Sequence, residues 1–139
     1  MFTGIVEGMA LIEAIVPRGK AFRFRLDLGP VSEGLEIGDS VAVDGACLTV
    51  VSLSGTHADF DVIRETVERT AFSQLRVGQR VNVERPMRAD GRFHGHIVSG
   101  HVDGTGQVRV KRKEDGQTWF TVEVDPSPVS YTHLRAHET

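Results

Sequence analysis

The feature that most constrains the fold of this chain is a repeat. Thr3-Gly4-Ile5-Val6-Glu7-Gly8 returns as Ser99-Gly100-His101-Val102-Asp103-Gly104, 96 positions further on. With the same offset and no gap, Phe24-Arg25-Leu26-Asp27-Leu28 falls on Phe120-Thr121-Val122-Glu123-Val124. A period this long marks a duplicated unit that can bury its own core, not a solenoid whose repeats must stack to be stable. The sequence therefore reads as one complete copy over residues 1–95 and the start of a second over 96–128.

Within the first copy the pattern is that of strands. Ile5 to Ile15 is rich in apolar and β-branched residues, and Pro17 to Lys20 supplies a turn. Phe22 to Leu28 alternates apolar and charged, which predicts a half-buried strand with Phe22, Phe24, Leu26 and Leu28 inward. Gly29-Pro30 ends it. Ser40 to Val43 and Cys47 to Leu53 flank Asp44-Gly45, a strong hairpin signal. Ala58 to Ile63 and Arg80 to Glu84 are two further strands. Between them Arg64 to Leu75 breaks the alternation and predicts a short helix over a barrel end, with Glu65 and Arg69 spaced as an ion pair and Val67, Ala71 and Leu75 on one face. Six short strands, glycine-rich turns and one short helix predict an all-β, six-stranded antiparallel Greek-key barrel, because closure hides the edges of so small a sheet. The incomplete second copy is expected to open with paired strands at Gln107–Val110 and Trp119–Val124 around the turn Glu114-Asp115-Gly116.

Composition excludes several classes. A net charge of −3 argues against broad binding to nucleic-acid phosphates, and Lys111-Arg112-Lys113, followed at once by Glu114-Asp115, reads as a solvated hairpin tip. Seven Phe, one Trp and one Tyr are few for a base-stacking surface. The single cysteine, Cys47, permits no intrachain disulfide and fits a reducing, cytoplasmic setting. Met1 to Gly4 has neither the basic nor the apolar region of a signal peptide, and no apolar run approaches the roughly 20 residues that span a bilayer. Residues 129–139 match nothing at the repeat offset. They resemble the translation of a transposase-type sequencing adapter joined to a broken reading frame, and are expected to be non-native. The four-residue spacing of His133 and His137 there carries no weight.

Few residues point to chemistry by themselves. Cys47 and Thr49 lie two apart on a strand after the hairpin turn, so both face one side, as a heterocycle-binding pair or as a small apolar thiol beside a structural hydroxyl. Asp61 and Thr66 flank a strand-to-helix corner suited to polar ligands, or serve as a surface residue and a helix cap. His94, His96 and His101 have no second cysteine or nearby Glu to complete a ligand set, and no metal is expected. His101, lying where the first copy has Ile5, is the more informative residue: one titratable ring stands at an otherwise repeated position, as a local chemical group or as a satisfied structural histidine.

Met1 to Glu7, Asp44 to Val50, Arg64-Glu65-Thr66 and Gly95 to Val102, taken together, resemble riboflavin synthases of the alpha-chain, lumazine-binding type. The resemblance runs from Met1 to about Val124. It implies tandem Greek-key barrels, a homotrimer held by a C-terminal helix that this sequence does not contain, and no metal or organic cofactor. The implied reaction is the dismutation of two 6,7-dimethyl-8-ribityllumazine molecules to riboflavin and a ribitylamino-pyrimidinedione. The non-catalytic alternative is an optical accessory protein that holds the same chromophore. Carried over by position, the first-barrel pocket comprises Gly4, Ile5, Val6, Ser40, Cys47, Leu48, Thr49, Asp61, Val62, Ile63, Arg64, Glu65 and Thr66, with Phe2 over the ligand. The second-barrel pocket begins with Gly100, His101 and Val102. His101 is the implied proton-transfer residue, with Cys47 and Thr49 beside it.

Overall fold

Six strands close on themselves in the order β1-β2-β5-β4-β3-β6, every pairing antiparallel. The computed structural model describes residues 1–91 and 95–126; His94 and the tail with His133 and His137 lie outside the described residues. The strands are β1 (Gly8–Arg18), β2 (Ala21–Asp27), β3 (Ser40–Val43), β4 (Ala46–Ser54), β5 (His57–Ile63) and β6 (Arg80–Glu84). β3, β4 and β5 are successive hairpin partners, and β6 returns after a long connection to lie beside β3, which makes the barrel a Greek key. β6 also pairs with β1 and so closes the ring.

The alternation read in the sequence is realised in the burial. Phe24, Leu26 and Leu28 enter the core with Ile12, Val41, Val50, Phe60, Val62 and Val81, and Phe22 packs against it half-buried. Asp44 and Gly45 both have positive φ, 44° and 82°, the mirror-image turn whose twist suits a two-residue hairpin. Pro17 and Arg18, expected in the turn, belong to β1; the turn itself is the Gly19-Lys20 pair.

The one helical region differs from its expected form. α1 (Arg64–Arg69) stops after six residues, Thr70 is extended, and a 3-10 turn covers Ala71–Gln74. The Thr70 hydroxyl accepts a hydrogen bond from the Phe72 amide at 3.2 Å and starts the new turn. That break rotates Phe72 into the barrel end, where its ring lies 5.7 Å from that of Phe24, and leaves Ala71 exposed. Glu65 and Arg69 do pair, at 3.2 Å.

On the outer face of β2 and β5 two registered pairs are cross-linked. Arg23 clasps Asp61 and Arg25 clasps Asp59, each through two hydrogen bonds of 2.7 to 3.0 Å. These guanidinium hydrogen bonds hold both carboxyl groups below their ordinary range.

Residues 103–126 form a separate unit, since chain contacts divide between Val102 and Asp103. Its described part is an antiparallel hairpin of β7 (Gly106–Glu114) and β8 (Gln117–Val124) around Asp115-Gly116, again with both φ positive. Lys111, Arg112 and Lys113 sit exposed near its tip.

Two outcomes are expected. Gly45→Ala meets no atom within 4 Å, so its cost is that of the left-handed backbone alone, about 1–2 kcal/mol in urea unfolding. The Asp59 and Asp61 pairs contribute stability above the unfolded carboxyl value of about 3.9, and this is lost as pH falls through the lower folded values. Acid titration followed by circular dichroism should therefore show the wild-type advantage over Asp59→Asn/Asp61→Asn shrinking below about pH 4.

Candidate functional site

The opening residues of the two copies meet across a local two-fold relation. Phe2 and Val98, equivalent positions of the repeat, form an isolated antiparallel bridge, each amide donating to the other's carbonyl at 2.8 and 2.9 Å. Gly4 and Gly100 share the same left-handed φ of 79°. The Ile5 amide donates to the Thr3 hydroxyl at 3.1 Å, and the His101 amide to the Ser99 hydroxyl at 3.2 Å. The repeat found in the sequence is thus also a repeat of backbone conformation.

The first opening segment is held by Glu84 at the end of β6. Its buried carboxylate accepts from the Thr3 amide at 2.5 Å, the Thr3 hydroxyl at 2.7 Å and the Gly4 amide at 3.1 Å. The second opening segment lies against the start of β4, where the Cys47 amide donates to the Gly100 carbonyl at 2.8 Å. A Cβ on Gly100 would sit 2.8 Å from that of Cys47 and 3.0 Å from the Phe2 ring, so this approach is open to glycine alone.

Between this segment, the start of β4 and α1 lies an open hollow of about 190 Å³. Its lining includes Cys47, Ile63, Glu65, Thr66, Gly100, His101 and Val102, residues brought together from three distant stretches of the chain. The sequence reasoning missed Ala46, Arg69 and Thr70, which also line it. Arg69 and Thr70 follow Glu65 and Thr66 by one helical turn, and that spacing was the available signal. Thr70 is fixed by donating its hydroxyl hydrogen to the Thr66 carbonyl at 2.7 Å. The hollow is smaller than the roughly 300–1,000 Å³ that enclose a drug-sized molecule, so it can seat one face of a flat ligand and leaves the other uncovered.

Several expected residues lie elsewhere. Gly100, His101 and Val102, expected in a second-barrel pocket, line this first-barrel hollow instead, because their segment folds back on β4. Gly4, Ile5 and Val6 do not line it; Ile5 and Val6 are exposed and Gly4 is bound to Glu84. Phe2 is buried beneath Gly100, not part of the lining. Leu48 and Val62 point into the barrel core, as strand alternation requires of the neighbours of Cys47 and Ile63. Asp61 is engaged by Arg23. Ser40 pairs across the sheet with exposed Thr49, and neither of them nor Arg64 lines the hollow. A larger hollow, of about 470 Å³, lies by Glu7, Glu33 and Arg85, but there Arg85 is already held by the Glu7 carboxylate and the Glu33 carbonyl.

A closed antiparallel barrel with a ring-sized hollow at one mouth defines a class of small ligand-binding β-barrel modules. Residues 3–86 match the lumazine binding domain family, and the chain belongs to that family. It is 40% identical to the riboflavin synthase of Actinobacillus pleuropneumoniae over 94% of this chain and 61% of that protein. It is 40% identical to the riboflavin synthase of Bacillus subtilis over 91% of this chain and 59% of that one. The chain thus spans about six-tenths of the length of these curated relatives. Among solved structures, LumP complexed with riboflavin superposes with a TM-score of 0.83 at 26% identity, covering 94% of this chain and 71% of that one. LumP complexed with 6,7-dimethyl-8-(1'-D-ribityl) lumazine does so with 0.80 at 27% identity, covering 95% and 71%. Among the described residues no helix is long and apolar enough to cross a membrane.

Glu84→Ala strips a charged acceptor from two amides and a hydroxyl. It is expected to cost about 3 kcal/mol in chemical denaturation and to speed amide exchange at Thr3 and Gly4.

Proposed function

We propose that this chain is the ligand-binding part of a riboflavin synthase and that its hollow receives one face of 6,7-dimethyl-8-ribityllumazine. The observation that carries this reading is the convergence of Cys47, Thr66 and His101 on one open concavity. The ring would lie against Cys47 and Val102, with the ribityl hydroxyls toward Glu65 and Thr66. His101 is exposed at the rim, where an imidazole can take or return a proton.

In the intact enzyme the reaction would move a four-carbon unit from one lumazine to another, giving riboflavin and the ribitylamino-pyrimidinedione. The lumazine ring is its own electron sink and acidifies its methyl group. The protein then contributes orientation of two stacked rings and proton shuttling. A hollow that covers one ring face suits this, since the second ring can occupy the other. Turnover needs a complete second copy, and this chain is expected to bind but to turn over little. Trimer formation and a cytoplasmic location remain part of the proposal for the intact enzyme. The LumP likeness favours a second reading, a chromophore holder without chemistry.

Titration of the chain with ribityllumazine should give saturable fluorescence change, and absence of any change up to millimolar ligand would defeat the proposal. Gly100→Ala, which must displace the segment bearing His101, should weaken binding about tenfold, or roughly 1.4 kcal/mol. Enzyme and chromophore holder part on the intact protein, where His101→Ala should lower turnover far more than affinity only if the first reading holds.

A further inference from the structure

Three metal-ligating side chains meet on the outer surface of β1, β2 and β5, away from the hollow. One ligand atom from each of Glu13, Asp27 and His57 lies within 4.8 Å of the others. His57 Nε2 is 3.2 Å from both carboxylate oxygens of Glu13. Donors sharing one ion at about 2.0–2.2 Å are roughly 3–3.6 Å apart, so a small side-chain movement brings all three to a common centre.

The sheet builds this cluster. Asp27 and His57 are direct cross-strand partners of β2 and β5. Glu13 lies at the β1 bulge between Ile12 and Ala14, and bulges re-aim a side chain. The nearby Arg25, opposite Ala14 and within reach of the Glu13 charge, is clasped by Asp59. Asp27 is oriented from behind: its carboxylate accepts from the Gly29 amide at 3.0 Å and is hydrogen-bonded to the Thr56 side chain. Such outer partners are the usual means of fixing a metal ligand. A depression of about 360 Å³ lined by Glu13, His57, Ser52, Ser54 and the paired Arg25 and Asp59, with Asp27 outside it, leaves room for water beside the cluster.

We infer that Glu13, Asp27 and His57 form a site for a divalent first-row transition ion of the zinc type, with water in the remaining positions. Two carboxylates and a neutral imidazole balance the charge of such an ion. The imidazole favours it over calcium or magnesium, which prefer oxygen throughout. The site lies at the opposite end of β5 from Ile63 and the hollow, about 20 Å away by strand rise. Its place is structural, tying three strands of the barrel together. Sequence spacing could not reveal it, because its members lie 14 and 30 residues apart and only the register joins them.

The test is a Co²⁺ titration of the full chain, followed by visible absorption, in a His133→Ala/His137→Ala background that removes the helically spaced pair in the tail. One equivalent should bind saturably at micromolar metal and be displaced by Zn²⁺. His57→Ala and Glu13→Gln should abolish binding, and Thr56→Val should weaken it about tenfold. Thermal melts of these surface variants without metal should match that of the parent, whereas Zn²⁺ should raise the melting temperature of the parent alone. Co²⁺ binding that survives His57→Ala, or no saturable binding below millimolar metal, overturns the inference. Ribityllumazine titration of the same variants should be unchanged, which separates failure here from failure of the ligand-binding proposal.

Discussion

The structure depends on the double pairing of β6. This strand of five residues hydrogen-bonds to β1 on one side and β3 on the other, and without it the sheet has two open edges. Val81 and Val83 carry its inner face into the core, while Glu84 ends it with a carboxylate that holds Thr3 and Gly4. Closure of the barrel and attachment of the first opening segment are thus one construction. Loss of β6 would expose the core and free the segment that bridges to Val98.

From that closure the site follows. The Phe2–Val98 bridge joins a buried Phe2 to the second opening segment. Once paired, the chain from Val98 to Val102 runs across the mouth beside Cys47, and Gly100 permits the approach. His101 reaches the rim of the hollow because a neighbouring copy's backbone completes the first copy's surface. The second copy's opening segment has become part of the wall of the first copy's hollow.

Much of this was legible beforehand. The strict alternation of Phe22 to Leu28 identified an inward face because a strand has a period of two. Asp44-Gly45 announced its hairpin because few residue pairs adopt positive φ twice. The helical region was less legible. Period alone put Ala71 on the buried face, whereas the Thr70 cap ends α1 and delivers Phe72 in its place. Leu48 and Val62 entered the expected pocket through the family resemblance, although adjacent strand residues face opposite sides, so they point into the core where Cys47 and Ile63 point out of it. Asp61 belongs with Arg23 through a register that no local pattern encodes.

The sequence by itself determined the duplicated unit, the strand-forming segments, the tight turns and the kinship with lumazine-binding proteins, because each is written in local pattern or in self-similarity. Tertiary structure alone decided that Gly100 to Val102 serve the first barrel, that Phe2 is buried beneath them, and that Glu13, Asp27 and His57 are neighbours. The physical reason is that strand register and chain fold-back depend on pairings between residues far apart in sequence. Periodicity fixes which way a side chain faces along its own strand, but not which strand lies opposite.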